Sequence, residues 1–95
     1  MAAYVIINAE IHDPAGMGAY LIAAPTTVAP FGGSYLVRGG AIDVIEGAWE
    51  PTRLAIIRFG TADQARAWLD SPEYRPFREM REKAANSNVV IVEGL

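Results

Sequence analysis

The period of the hydrophobic pattern changes repeatedly along this chain, and the order of those changes leaves few folds open. Ala3 to Ile11 alternates and is rich in β-branched residues, so it reads as a strand. Asp13-Pro14 then supplies an N-cap followed by proline at the first helical position. Met17, Tyr20, Leu21 and Ala24 fall on one face of the helix that follows. Gly16 and Gly18 weaken that helix, and Pro25 should stop it. Thr26 to Gly33 reads as turns, Ser34 to Glu46 as a strand interrupted at Gly39-Gly40, Gly47 to Pro51 as a turn, and Thr52 to Phe59 as a strand. Thr61 with Gln64 forms a capping box, opening a helix that carries Ala65, Trp68 and Leu69 inward. Ser71-Pro72-Glu73 opens a second helical segment, on which Tyr74, Phe77, Arg78, Arg81 and Ala84 follow at helical spacing. Asn86 to Asn88 breaks the pattern, and Val89 to Glu93 is the last strand. The order β-α-β-β-α-β, with the second helix split, is that of an α+β ferredoxin-like domain: an antiparallel sheet with both helices on one face.

A chain of 95 residues makes one domain, here residues 1–95. Its core is thin, so burial against a partner would help it. No apolar run reaches the ~20 residues that cross a bilayer, and the N-terminus shows no secretory pattern, so a soluble cytoplasmic protein is expected. There is no cysteine, hence no disulfide framework and no thiolate. The net charge is −3 and the arginines are scattered, which argues against a nucleic-acid footprint.

Strand side chains alternate between faces. Val5, Ile7, Ala9 and Ile11 form one apolar set. A tight hairpin would pair Glu46 with Thr52, Val44 with Leu54 and Ile42 with Ile56, and Val90 and Val92 would complete a helix-covered face. The second face would carry Tyr4, Ile6, Asn8, Glu10, Asp43, Ile45, Ala55, Ile57, Phe59, Val89 and Ile91. It is too apolar for open water, which predicts a homodimer packed sheet against sheet. In that register Gly39 and Gly40 lie opposite Phe59 and Arg58, where glycine would mark a bulge or make room for a large neighbour. A bulge there leaves open which face Arg38 takes.

The run GGSYLVRGG, then IEGAWEPTRLAIIRF, ARAWLDSPEY, Arg81 and VEG resemble the family called domain of unknown function 1330, from Tyr4 to Gly94. The resemblance implies a dimeric α/β barrel. It also implies that any ligand lies between helices and sheet or in the barrel mouth. Relatives in that wider superfamily range from cofactor-free monooxygenases to domains without known catalysis, and fold alone does not choose among them.

Asn8 and Glu10 are polar on a largely apolar strand face, so they are a candidate binding and proton-transfer pair, with Glu10 as acid/base. The alternative is a strand-end carboxylate that meets water or an arginine. Arg38 could clamp a ligand carboxylate with its bidentate fork, or pair with Asp43, Glu10 or Glu46. Phe59 would line the same site. Arg53, near Glu46 and Glu50, is expected in a turn salt bridge. His12 reads as a surface histidine, and Trp68, Tyr74 and Phe77 as core. No residue set implies a metal, haem or flavin, and the glycines lack the strand-to-helix context of a phosphate loop. Two functions remain: a small-molecule site that binds or converts its ligand, or a non-catalytic dimeric module whose polar residues fix strand register.

Overall fold

The computed structural model describes residues 1–95. Its elements are β1 (Ala3–Ile11), α1 (Pro14–Ala23), β2 (Ser34–Arg38), β3 (Leu54–Phe59), α2 (Ala62–Leu69), α3 (Arg75–Ala84) and β4 (Ala85–Glu93). The four strands form one sheet in the order β2-β3-β1-β4, and every neighbouring pair is antiparallel. This is the α+β, ferredoxin-like arrangement that the order of periods implies. No helix is long and apolar enough to cross a membrane.

The predicted caps form. The Asp13 carboxylate accepts from Gly16 N at 3.1 Å, and Thr61 Oγ1 accepts from Gln64 N at 3.1 Å. Pro25 ends α1 as an α-helix but not the winding of the chain. Proline is tolerated in a first turn, and two short 3-10 turns follow, Ala24–Thr27 and Ala29–Phe31. Ser71 does cap, accepting from Tyr74 N at 3.1 Å, but residues 72–74 make a turn and α3 begins only at Arg75. The expected break at Asn86 to Asn88 is absent. β4 starts directly after α3, and its first residues pair with Ile11, Glu10 and Ala9.

Two of the expected strand faces are inverted. On β1 the reading holds: Val5, Ile7 and Ala9 are buried under the helices. On β3 it is Ala55, Ile57 and Phe59 that join them, and on β4 Val89 and Ile91 pack against this core. Leu54, Ile56, Val90 and Val92 lie on the opposite face with Tyr4, Ile6, Asn8 and Glu10. The hairpin also differs from the expected one. The ladder between β2 and β3 pairs Ser34 with Arg58, Tyr35 with Ile57, Val37 with Ile56 and Arg38 with Ala55. It ends at Gly39, which donates to the Leu54 carbonyl at 2.8 Å and then turns away at φ +73°. Residues 40 to 53 are loop rather than strand, with Val44 and Ile45 exposed. A slip of one residue moves every side chain to the other face.

The bulge falls at Leu36, between Tyr35 and Val37, and not at Gly39-Gly40. It is Gly33, not Gly39, that gives way to Phe59. A Cβ at Gly33 would lie 2.6 Å from both the Phe59 ring and Val28. Gly32, at φ +81°, closes the second 3-10 turn. Gly33→Ala should therefore cost roughly 1–3 kcal/mol through overpacking. Gly40→Ala, which meets nothing within 4 Å, should stay within about 0.5 kcal/mol. Urea denaturation of the two variants checks this, and equal midpoints would refute the steric account.

Candidate functional site: an arginine-lined cavity beside the first helix

A cavity lies between α1 and the helix-covered face of the sheet. Ile7, Ala9 and Ala55 form its apolar floor. Met17, Tyr20 and Leu21 of α1 wall one side, with Pro25 beyond them. Tyr35, Arg38, Arg53 and Arg81 complete the lining. The space within it is about 20 Å³, which holds one or two water-sized groups. Its lining includes no carboxylate, histidine, lysine, serine or cysteine.

Each charged side chain arrives from a different element. β2 places Arg38 on the helix side of the sheet, because the bulge at Leu36 resets its parity. Its Nη2 donates to the Leu21 carbonyl at 3.0 Å, and its guanidinium sits 5.2 Å from the centre of the Tyr35 ring. Arg53 stands just before β3. Its backbone N donates to Asn8 Oδ1 at 3.3 Å, and its guanidinium passes so close to Gly39 that a Cβ there would lie 3.0 Å from Nε. Arg81 comes from the buried stripe of α3 and is only 4% exposed. Its Nε is buried without a hydrogen-bond partner.

None of these three arginines is in an ion pair. The protein's two ion pairs are Arg66–Asp63 and Arg78–Asp70, elsewhere on the helices. Arg53 therefore does not make the expected turn salt bridge, and Arg38 meets a carbonyl and an aromatic ring instead of Asp43, Glu10 or Glu46.

The hydroxyls of the site stay protonated. Burial raises the Tyr20 hydroxyl far above the ordinary tyrosine range, and the neighbouring Tyr74 raises it further. The two hydroxyl oxygens are 2.7 Å apart. Burial also raises Tyr35, although Arg38 works against it. For Arg81, burial disfavours the charge, but Tyr74 and Tyr20 more than offset this and its pKa rises.

Of the four residues singled out in the sequence, only Arg38 lines this cavity. Asn8 projects to the opposite face, where its Oδ1 also accepts from Thr52 N at 3.0 Å. It thereby fixes the backbone that carries Arg53. Glu10 is exposed on that same face. Phe59 is fully buried, with its ring centre 5.7 Å from that of Trp68. Tyr20, Tyr35 and Arg81 carry no binding expectation in the sequence, and Arg53 is expected first in a turn salt bridge and only second as an anion clamp like Arg38. For Arg81 a signal existed: a charge at helical spacing with Tyr74 and Ala84, on the stripe that must face the core. Trp68 and Tyr74 are fully buried, as their spacing predicts, and Trp49 is exposed.

One family model, described as a domain of unknown function (DUF1330), matches residues 2–95. No curated protein matches the chain. Among solved structures, a protein of unknown function from Rhodopseudomonas palustris superposes with a TM-score of 0.75 at 15% identity, over 99% of this chain and 82% of that one. A dimeric ferredoxin-like protein of unknown function from Jannaschia sp. CCS1 gives 0.67 at 13% identity, over 99% and 100%. SnoaB, a cofactor-independent oxygenase from Streptomyces nogalater, gives 0.63 at 11% identity, over 99% and 93%. At such identities the likeness shows the fold alone.

The tyrosines generate a test in alkali. Folding holds Tyr20 and Tyr35 protonated, so above pH ~10 the folded chain keeps protons that the unfolded chain releases. Stability is then lost as the pH rises, by at most about 1.4 kcal/mol per pH unit for each such tyrosine. Tyr20→Phe should flatten the loss between pH 9 and 11 in urea denaturation. Parallel curves for variant and wild type would show that Tyr20 is not the group involved.

Proposed function

We propose that this chain, which belongs to the DUF1330 family, is a homodimeric domain that binds a small organic molecule in the cavity between α1 and the sheet. One observation carries the reading: an apolar floor converges with three arginines that have no acidic partner, one of which, Arg81, holds its buried Nε without a hydrogen-bond partner. Pockets of that composition are where small ligands bind, and a buried donor left without a partner is costly unless something completes it. The side chains that line the cavity supply donors and no evident base. Binding is therefore the first reading, and conversion is confined to a substrate that donors alone could activate. Glu10 remains a candidate acid/base only for a site on the opposite face.

That opposite face supports the dimer. It carries Ile6, Ile56, Val90 and Val92 with no helix over them, and Val90 and Val92 are 53% and 47% exposed. A second copy packed sheet against sheet would cover it, burying roughly 2,000 Å² or more if the dimer is obligate. The dimeric Jannaschia protein has the same fold. A cysteine-free chain has no need of an oxidising compartment, and cytoplasmic residence fits this reading.

Two measurements test these statements. Light scattering should give twice the mass of the chain at micromolar concentration, and Ile56→Lys, on the open face, should give a monomer. A stable wild-type monomer would end the dimer reading. A thermal-shift screen of small organic molecules should yield stabilising ligands, by about 2.7 kcal/mol at 100 times the dissociation constant. Ala55→Leu, which fills the cavity floor, should abolish the shift while the dimer persists. Ligands that stabilise this variant as well as the wild type would place binding elsewhere.

A further inference from the structure

We propose that the ligand of this cavity is a carboxylate, and that Arg81, Arg53 and Arg38 are its recognition groups. The inference rests on the cavity being the binding site. Three arginines from α3, the β2–β3 loop and β2 line one small space, and none is neutralised by an acidic side chain of the protein. Arginines elsewhere on the fold, Arg66 and Arg78, do have aspartate partners. The cluster is therefore not a product of a shortage of acid in the chain, which carries 11 acidic residues against 8 basic ones.

Arg81 makes the point sharply. A guanidinium withdrawn from water is held at a cost unless it is paired and hydrogen-bonded. At 4% exposure, Arg81 has no acidic partner and its Nε has no hydrogen-bond partner, although Tyr74 and Tyr20 favour its charge. A planar anion with two oxygens matches the guanidinium fork and would relieve it. Tyr20 adds a hydroxyl that can be turned toward an anion, since either member of its pair with Tyr74 can be the donor. The space of about 20 Å³ admits a headgroup of a few atoms, so the rest of a larger ligand would lie at the cavity mouth.

The test is a titration of the ¹⁵N-labelled full chain with sodium butyrate, butyramide and sodium phosphate at constant ionic strength, followed by amide NMR. Butyrate should shift signals around Ala9, Tyr20 and Ala55 saturably. Butyramide should bind at least about ten-fold more weakly, since hydrogen bonds to charged groups outweigh neutral ones by that order. Arg53→Gln and Arg81→Met should each weaken butyrate about ten-fold or more, and Arg66→Gln should not. Arg81→Met keeps the side-chain stem while removing the unpaired charge, so it should melt no lower than wild type. Purely structural arginines would instead give variants that melt lower than wild type and bind butyrate as tightly as wild type does. Butyramide binding as tightly as butyrate, at a site lost in Ala55→Leu, would overturn the carboxylate while leaving the small-molecule cavity intact. Phosphate binding more tightly than butyrate would overturn it too. Ligands of every class failing to perturb the cavity would remove the cavity reading itself.

Discussion

Four aromatic rings hold this fold in register. Phe59 of β3, Trp68 of α2, Tyr74 of the turn before α3 and Tyr20 of α1 follow one another at centroid separations of 5.7, 4.0 and 6.2 Å. Each ring belongs to a different segment, so the stack ties sheet, both helical layers and their connections together. Phe59, Trp68 and Tyr74 are fully buried, and rings of this size dominate the apolar area of so small a core. The polar atoms along the stack are satisfied as they go. Trp68 Nε1 donates to Thr27 Oγ1 at 2.9 Å, and the Thr27 hydroxyl donates to the Ala24 carbonyl at 2.7 Å. That chain of bonds fixes the turns after α1, and with them Pro25 at the cavity wall.

The same stack delivers the site. Its last member, Tyr20, places a hydroxyl on the cavity, and Tyr74 holds that hydroxyl from below. Arg81 lies two turns along the helix that Tyr74 introduces. The core and the cavity are thus one object with two ends: aromatic and dry at Phe59, cationic at Arg38, Arg53 and Arg81. At the cationic end, three arginines stand without an acidic partner. At the far side of β1, Asn8 shows how the two faces of the sheet are linked. Its side chain points away from the cavity but holds the backbone of Arg53, which lines it.

Much of this was legible in the chain. The caps at Asp13 and Thr61, the burial of Trp68 and Tyr74, and the order of the elements all follow from residues close together in sequence. The strand faces were not legible, because Leu54, Ile56, Val90 and Val92 are as apolar as Ala55, Ile57, Val89 and Ile91. When both faces of a strand are hydrophobic, alternation says that there is a strand but not which side faces the helices. The hairpin failed for a related reason. Ile42 and Val44 alternate like strand residues, yet the ladder stops at Gly39. The positive φ there is a property of the backbone that glycine permits but does not announce.

Local chemistry therefore decided the fold class: periods, caps and breakers act over a few residues, and each can be read where it stands. Register and convergence are long-range. Tyr20, Arg38, Arg53 and Arg81 are separated by up to three intervening elements, and nothing in their spacing brings them together. They meet because Gly33 lets β2 cross over Phe59, because one bulged residue turns Arg38 to the helix side, and because α3 packs its Arg81 stripe inward. Each of those is a matter of side-chain volumes meeting across the core, and it is settled only when the sheet and helices close on one another.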